Sequence, residues 1–330
     1  MTTADKLSLS RRQLLAGTSA LGAAAALGGD IGDAFAKAPL LSTQAPYFYR
    51  FKLGNAEATI VSDGPLPLGD PSAVYLGLSK EEMQKQLSDN FLPSDNVVLE
   101  QNSLIVNTGS LLVLFDTGMG SAKDFGPTTG KLMNSLKQAG IDAKDIDAVV
   151  MSHAHIDHCG GNVGDDGKSL FPNAQFYIAQ SDFDFWTDES KAGGPLKSFI
   201  AQARKNLLPV RDRTVFIKDG QEFLPGITAI AAHGHTVGHT VFMISSGAKQ
   251  MAYIGDLTHH PVLLMQKPLT EFAYDTDPKQ SAQTRVKLLT MFAEKKISIV
   301  AYHFAWPGYG HVAKQGDGFR YFPEPMNMAL

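Results

Sequence analysis

The chain has 330 residues, 44% of them hydrophobic and 19% charged, with a formal net charge of -4. That balance fits one large globular domain or two ordinary ones; it excludes a disordered chain and, without a basic block, argues against a nucleic-acid partner. A single cysteine, Cys159, excludes an intramolecular disulfide, so stability has to come from the core and from any bound metal.

The first 36 residues read as an export signal. Ser10-Arg11-Arg12-Gln13-Leu14-Leu15 precedes a Gly/Ala/Leu stretch to Leu27 and then Ala34-Phe35-Ala36. The paired arginines and the mildly apolar stretch behind them fit a twin-arginine (Tat) signal, with cleavage after Ala36 and a periplasmic or secreted product. At about 14 residues the stretch is too short for stable membrane insertion. Residues 37–330 are expected to form one domain, because no convincing linker divides them.

Past a polar linker, Tyr47 to Leu53 and Ala56 to Val61 read as strands joined at Gly54-Asn55. Residues 62–95 carry four prolines and few strand signals; a helix is expected over 80–87, and Leu66, Leu68 and Tyr75 are candidate pocket walls. Strands follow at 103–107 and 110–115, then a helix over 128–139 with Leu132, Met133 and Leu136 facing inward. Later strands are expected at 147–151, 175–179, 214–217, 227–232, 240–244, 250–254 and 297–302. A short helix or turn is expected at 182–187, and helices at 196–206 and 278–293. Strands and helices mixed in this way indicate an α/β domain.

The strand at 147–151 runs into Ser152-His153-Ala154-His155-Ile156-Asp157-His158-Cys159, where four metal-capable side chains fall within six positions. Side chains so spaced cannot all point one way from a regular helix or strand, so the loop has to fold them around something. Imidazole nitrogen and carboxylate oxygen suit zinc and similar divalent ions. Three more such residues follow the ends of apolar strands: His235 after 227–232, Asp256 after 251–254 and His303 after 299–302. Side chains at the carboxyl ends of several strands converge on one rim, where open α/β sheets build their sites. Seven ligands are too many for one tetrahedral zinc and suit two ions sharing a carboxylate.

Taken in order, His-x-His-x-Asp-His at 153–158, Gly-His-Thr-x-Gly-His at 234–239, Gly255-Asp256 and His303 resemble the metallo-β-lactamase superfamily of binuclear hydrolases. The resemblance implies an αββα four-layer sandwich and two divalent ions per chain, with Zn2+ the first expectation. It gives His153, His155 and His235 to one ion, Asp157, His158 and His303 to the other, and Asp256 to both. Phe125-Gly126-Pro127-Thr128, Asp184-Phe185-Trp186, Ala232-His233-Gly234-His235 and Gly308-Tyr309-Gly310-His311 are similar to the methyl parathion hydrolase branch, which includes lactonases and arylesterases. The pair His259-His260 departs from that branch's organophosphate specialists, where an aliphatic side chain is expected, and Phe272 and Tyr274 make the adjoining wall more aromatic.

The resemblance therefore implies cleavage of a lactone or aryl ester by a metal-bridging hydroxide, with phosphotriesterase side activity. An organophosphate hydrolase and an exported β-lactamase are the alternatives. Asp157 is expected to orient the hydroxide and His259 to donate a hydrogen bond to the leaving or carbonyl oxygen. Phe125, Trp186, His259, Phe272 and Tyr274 are expected to bind the substrate, with Phe183 and Phe185 as further aromatic candidates. His239 and Asp116 are expected to orient ligands, His233 to pack beside the site, and Cys159 to be a structural thiol. The partner is a small ester or lactone, and a homodimer is compatible with the sequence.

Overall fold

The computed structural model describes residues 47–327, together with Gln44 and Ala329. The expected export signal lies outside the described residues.

In chain order the strands begin with β1 (Phe48–Leu53), β2 (Ala56–Ser62), β3 (Leu66–Gly69), β4 (Tyr75–Leu76), β5 (Val97–Leu99), β6 (Asn102–Asn107), β7 (Leu112–Phe115), β8 (Ala148–Val150), β9 (Gln175–Ala179) and β10 (Thr214–Ile217). They continue with β11 (Glu222–Leu224), β12 (Ile227–Ala231), β13 (Thr240–Ser246), β14 (Lys249–Tyr253), β15 (Glu271–Phe272), β16 (Ser298–Val300), β17 (Tyr309–Gln315) and β18 (Gly318–Pro323). The α-helices are α1 (Lys80–Asp89), α2 (Leu132–Gln138), α3 (Ile156–Cys159), α4 (Gln180–Thr187), α5 (Lys197–Leu207), α6 (Leu263–Gln266) and α7 (Pro278–Lys295).

Two seven-stranded sheets run in the orders β1-β2-β6-β7-β8-β9-β10 and β11-β12-β13-β14-β16-β17-β18. In the first, β7 to β10 are parallel; in the second, only β14 and β16 pair in parallel. Side chains alternate faces along a strand, which assigns each face to its own layer. On β6, Leu104 and Val106 point between the sheets, where they join Phe115, Phe242, Tyr253 and Tyr302, while Ile105 points outward. The outer face of the first sheet is covered by α2, α4 and α5 through Leu132, Trp186 and Ile200. The outer face of the second is covered by α7 through Leu288, Leu289 and Phe292. Helix, sheet, sheet and helix make the expected αββα sandwich, and strands covered on both faces explain the near-continuous apolar runs in the sequence.

The 62–95 excursion is less plain than expected. Its helix forms, with Ser79 and Glu82 in a reciprocal capping box, and β3 pairs with β5 while β4 pairs with β15. These pairings close a separate apolar cluster of Leu66, Tyr75, Leu99, Leu263 and Phe272 beside the site. The helix expected over 128–139 starts only at Leu132, and Met133 is 40% exposed rather than inward. A helix advances about 100° per residue, so with Leu132 and Leu136 turned to the sheet Met133 swings to solvent.

Candidate metal centre

The site residues arrive from the ends of strands in both sheets. After β8 the backbone turns through His155 into the single turn α3, which presents Asp157 and His158. His235 follows β12, Asp256 follows β14 and His303 follows β16. Gly255 takes a left-handed φ of +45, and a Cβ there would come within 2.9 Å of both His239 Nε2 and the Ser152 side chain. Only glycine lets the chain pass this close and deliver Asp256 to the centre.

All seven expected ligands are buried and meet at one point. His153, His155, His235 and Asp256 form one group able to hold a cation, Asp157, His158 and His303 a second, and Asp256, His259 and His303 an overlapping third. Asp256 is the hub. Its Oδ1 lies 3.1 Å from His158 Nε2, and its Oδ2 lies 3.1 Å from His235 Nε2 and 3.3 Å from His303 Nε2. Asp157 Oδ2 is 3.4 Å from both His158 Nε2 and His303 Nε2.

The opposite ring nitrogens show that this pocket fits a metal. His158 Nδ1 faces Asp116 Oδ2 at 2.8 Å, His235 Nδ1 faces Asp275 Oδ1 at 2.8 Å, and His303 Nδ1 faces the Glu100 carbonyl at 2.8 Å. An ionised carboxylate or a carbonyl only accepts, so in the neutral rings each Nδ1 carries the proton and each Nε2 points a bare lone pair inward. There the lone pairs meet carboxylates and one another: His235 Nε2 and His153 Nε2 are 3.1 Å apart. His158 Nε2 and Asp256 Oδ1 are buried without any hydrogen-bond partner. Acceptors facing acceptors need a cation, and imidazole held from behind by a carboxylate or carbonyl is the usual setting for a metal.

Without a metal the cation is a proton. Burial opposes charge on His235 and His303, yet Asp256 with Asp275 lifts the first to about 9, and Asp256 with Asp157 lifts the second to about 9. Burial and the neighbouring His158 hold His153 well below its usual value. Alternating proton affinities of this kind suit a site whose protons leave when metal binds.

The supporting residues take distinct places. Asp116 accepts from Ser152 N and Oγ and from the Tyr253 hydroxyl besides facing His158, and His239 Nε2 accepts from Asp256 N. Asp182, absent from the sequence reading, holds the two ligand loops together by accepting from Ala154 N and Gly238 N. Cys159 is buried and donates to the Ala154 carbonyl. His233 is exposed rather than packed beside the site. His260 is buried and accepts from Val262 N and Leu263 N at the start of α6.

A cleft opens over the centre, walled by Leu66, Leu68, Leu99, Phe125, Phe199, Phe272 and Tyr274. His259 lines it, stacked on Phe272 with ring centroids 3.9 Å apart and its Nε2 3.0 Å from Asp256 Oδ2. Trp186 does not line the cleft: it is 1% exposed and packs edge-on behind His155 at 4.9 Å. Phe199, which stands 5.4 Å from His155, takes the wall position expected of it. Tyr75 is buried against Phe272 and His260, and Phe183 and Phe185 pack with the outer core of the first sheet. Phe199 carried no sequence signal beyond being one aromatic on an amphipathic helix.

A four-layer sandwich with clustered His and Asp side chains on the rim of both sheets defines a metal-dependent hydrolase. The chain belongs to the metallo-beta-lactamase superfamily, whose match covers residues 97–302. Among solved structures it is similar to AidC, described as a dizinc quorum-quenching lactonase and solved with a homoserine product, at 32% identity and TM-score 0.80 over 84% of this chain and 97% of that one. It is similar also to the hydrolase AbOPH, at 26% identity and TM-score 0.80 over 86% and 100% of the two chains. Among curated proteins it matches an N-acyl homoserine lactonase of a Bacillus species, 22% identical over 194 residues, which is 59% of this chain and 67% of the relative.

Proposed function

We propose that this protein is a lactonase that holds two divalent ions, zinc foremost, and opens lactones bearing an apolar acyl or aryl group. The observation that carries the reading is the placement of a doubly shared carboxylate, Asp256, beneath a cleft with apolar and aromatic walls. The similarity to AidC and to the Bacillus lactonase supports the choice of lactone over phosphotriester. His153, His155 and His235 would hold one ion and Asp157, His158 and His303 the other, with Asp256 between them.

When bound, such ions bring a coordinated water to a pKa of about 7 and polarise the carbonyl oxygen. The chain supplies the rest. Asp157, at the cleft edge of the cluster, orients the attacking water by accepting its hydrogen. Phe125, Phe199, Phe272 and Tyr274 exclude bulk solvent and grip the apolar part of the substrate. Burial raises the Tyr274 phenol above its ordinary value, so it enters the cleft protonated, as a donor.

Zinc-loaded protein should be screened against acyl-homoserine lactones, dihydrocoumarin, p-nitrophenyl acetate, methyl parathion and nitrocefin. The expected outcome is proton release from the lactones, abolished by chelation and restored by zinc. Turnover of nitrocefin or methyl parathion with no lactone opened would replace the substrate assignment, and metal binding with no turnover at all would end it.

A further inference from the structure

One fully buried arginine has no part in the chemistry above. Arg285, 0% exposed, lies on α7 behind the second sheet's rim. Its Nε donates to the Leu257 carbonyl at 3.0 Å, and its Nη1 donates to the carbonyls of Pro268 and Thr270, each at 2.8 Å. Its Nη2 donates to Ser281 Oγ at 3.4 Å and stands 3.8 Å from Asp275 Oδ2. One guanidinium thus gathers the start, the middle and the end of residues 257–275, the segment that carries His259, Phe272 and Tyr274 into the cleft.

Asp275 is the other half of the arrangement. Its side chain is buried, its Oδ1 faces His235 Nδ1 at 2.8 Å, and its Oδ2 has no hydrogen-bond partner. A buried carboxylate is costly unless a cation compensates it, and Arg285 is the cation beside it. The backbone is stitched at the same place: Thr276 N donates to the His235 carbonyl and Asp277 N to the Gly234 carbonyl. Gly234 permits this approach, since a Cβ there would sit 2.1 Å from Ser281 N.

We infer that Asp275 and Arg285 are a positioning pair: Asp275 fixes the ring of His235 through its Nδ1–H, and Arg285 locks Asp275 to the substrate wall formed by residues 257–275. The metal half-site containing His235 and the aromatic wall are thereby held in one register. Carboxylates behind metal-bound imidazoles set tautomer and ring orientation, and their loss commonly weakens metal binding by about 10–100-fold. Arginine is suited to the second task because its planar fork serves several carbonyls at once, which lysine's single ammonium cannot do.

The inference rests on His235 being a metal ligand, and the experiment keeps the two apart. Full-length wild type, Asp275→Ala, Asp275→Asn, Arg285→Lys and Arg285→Met are titrated with Zn2+ against a chromogenic chelator, and folding is followed by circular dichroism. Wild type that binds no Zn2+ overturns the ligand reading itself. If wild type binds, Asp275→Ala is expected to weaken one class of zinc by about 10–100-fold and leave the other within twofold. Arg285→Lys and Arg285→Met are expected to raise KM for a lactone substrate more than they lower kcat, with smaller losses of zinc. Zinc affinity within twofold of wild type in folded Asp275→Ala overturns the pair as a positioning device, since a purely structural role would lower the melting temperature alone. Should Asp275→Ala not fold, Arg285→Met decides instead: KM for the lactone and zinc affinity both within twofold of wild type overturn the pair. Asp275→Asn, whose amide oxygen still accepts from His235 Nδ1–H, is expected to keep most of the zinc affinity.

Discussion

At the scale of single residues His259 shows how neighbourhood reshapes a role. Its place three positions after Asp256 suggests a donor to the substrate's oxygen, but the structure first engages its Nε2 with Asp256 Oδ2 at 3.0 Å. Burial holds this imidazole down to about 4, so at neutral pH it has one proton, and that proton goes to the carboxylate. Its Nδ1 is then a buried lone pair without a partner. In this arrangement the ring is engaged with the shared carboxylate, and substitution has to decide whether it also addresses the leaving group. A hydrogen bond to a charged group is worth about 1.5–3 kcal/mol, so His259→Leu is expected to lower kcat/KM for lactones by roughly 10- to 100-fold while the neighbouring Phe272 keeps the cleft closed. Steady-state kinetics at saturating zinc measure this, and unchanged turnover would leave His259 as a wall residue only.

At the scale of elements, Trp186 and Phe199 occupy two layers of the same wall, one on α4 and one on α5. Trp186 is core and Phe199 is surface to the substrate, so their truncations should separate. Trp186→Ala is expected to cost about 3–5 kcal/mol of stability through the cavity it leaves, read as a lower denaturation midpoint. Phe199→Ala should raise KM for long-chain lactones with a much smaller loss of stability. The reverse pattern would put Trp186 back in the cleft. The same pair shows what the sequence makes legible. Seven metal-capable residues stand out because each follows a buried apolar strand, and strands covered on both faces announce themselves as apolar runs. Phe199, Asp182, Asp275 and Arg285 do not, since each is one ordinary residue whose partner in the site lies ten or more positions away. The pairings of β4 with β15 and of β3 with β5 are hidden for a related reason: two to four residues carry too little periodicity, and their partners are fixed only once the sandwich has closed. The terminal hairpin of β17 and β18 escapes although Gly316-Asp317 is a two-residue turn signal, because its strands carry His311, Lys314, Gln315 and Arg320 in place of an apolar run.

At the scale of the whole molecule the metal centre is also a seam. His153, His155, Asp157 and His158 follow β8 in the first sheet, whereas His235, Asp256 and His303 follow β12, β14 and β16 in the second. Cations held among them would tie the two sheets at one rim, in a chain whose single cysteine can form no internal disulfide. Without them the same rim holds buried carboxylates and imidazole lone pairs facing one another, relieved only by protons. A ligand present at a thousand times its dissociation constant stabilises the folded state by about 4 kcal/mol. For a domain of this size each kcal/mol shifts the melting temperature by roughly 2–4 °C. Chelation followed by dialysis is therefore expected to lower the melting temperature by on the order of 10 °C, and adding Zn2+ back should restore it in a concentration-dependent way. Calorimetry of metal-free and reloaded protein, with metal content verified on each, measures the difference. An identical melting temperature in the two forms would mean that protons alone close the seam and that the ions serve chemistry without holding the sheets together.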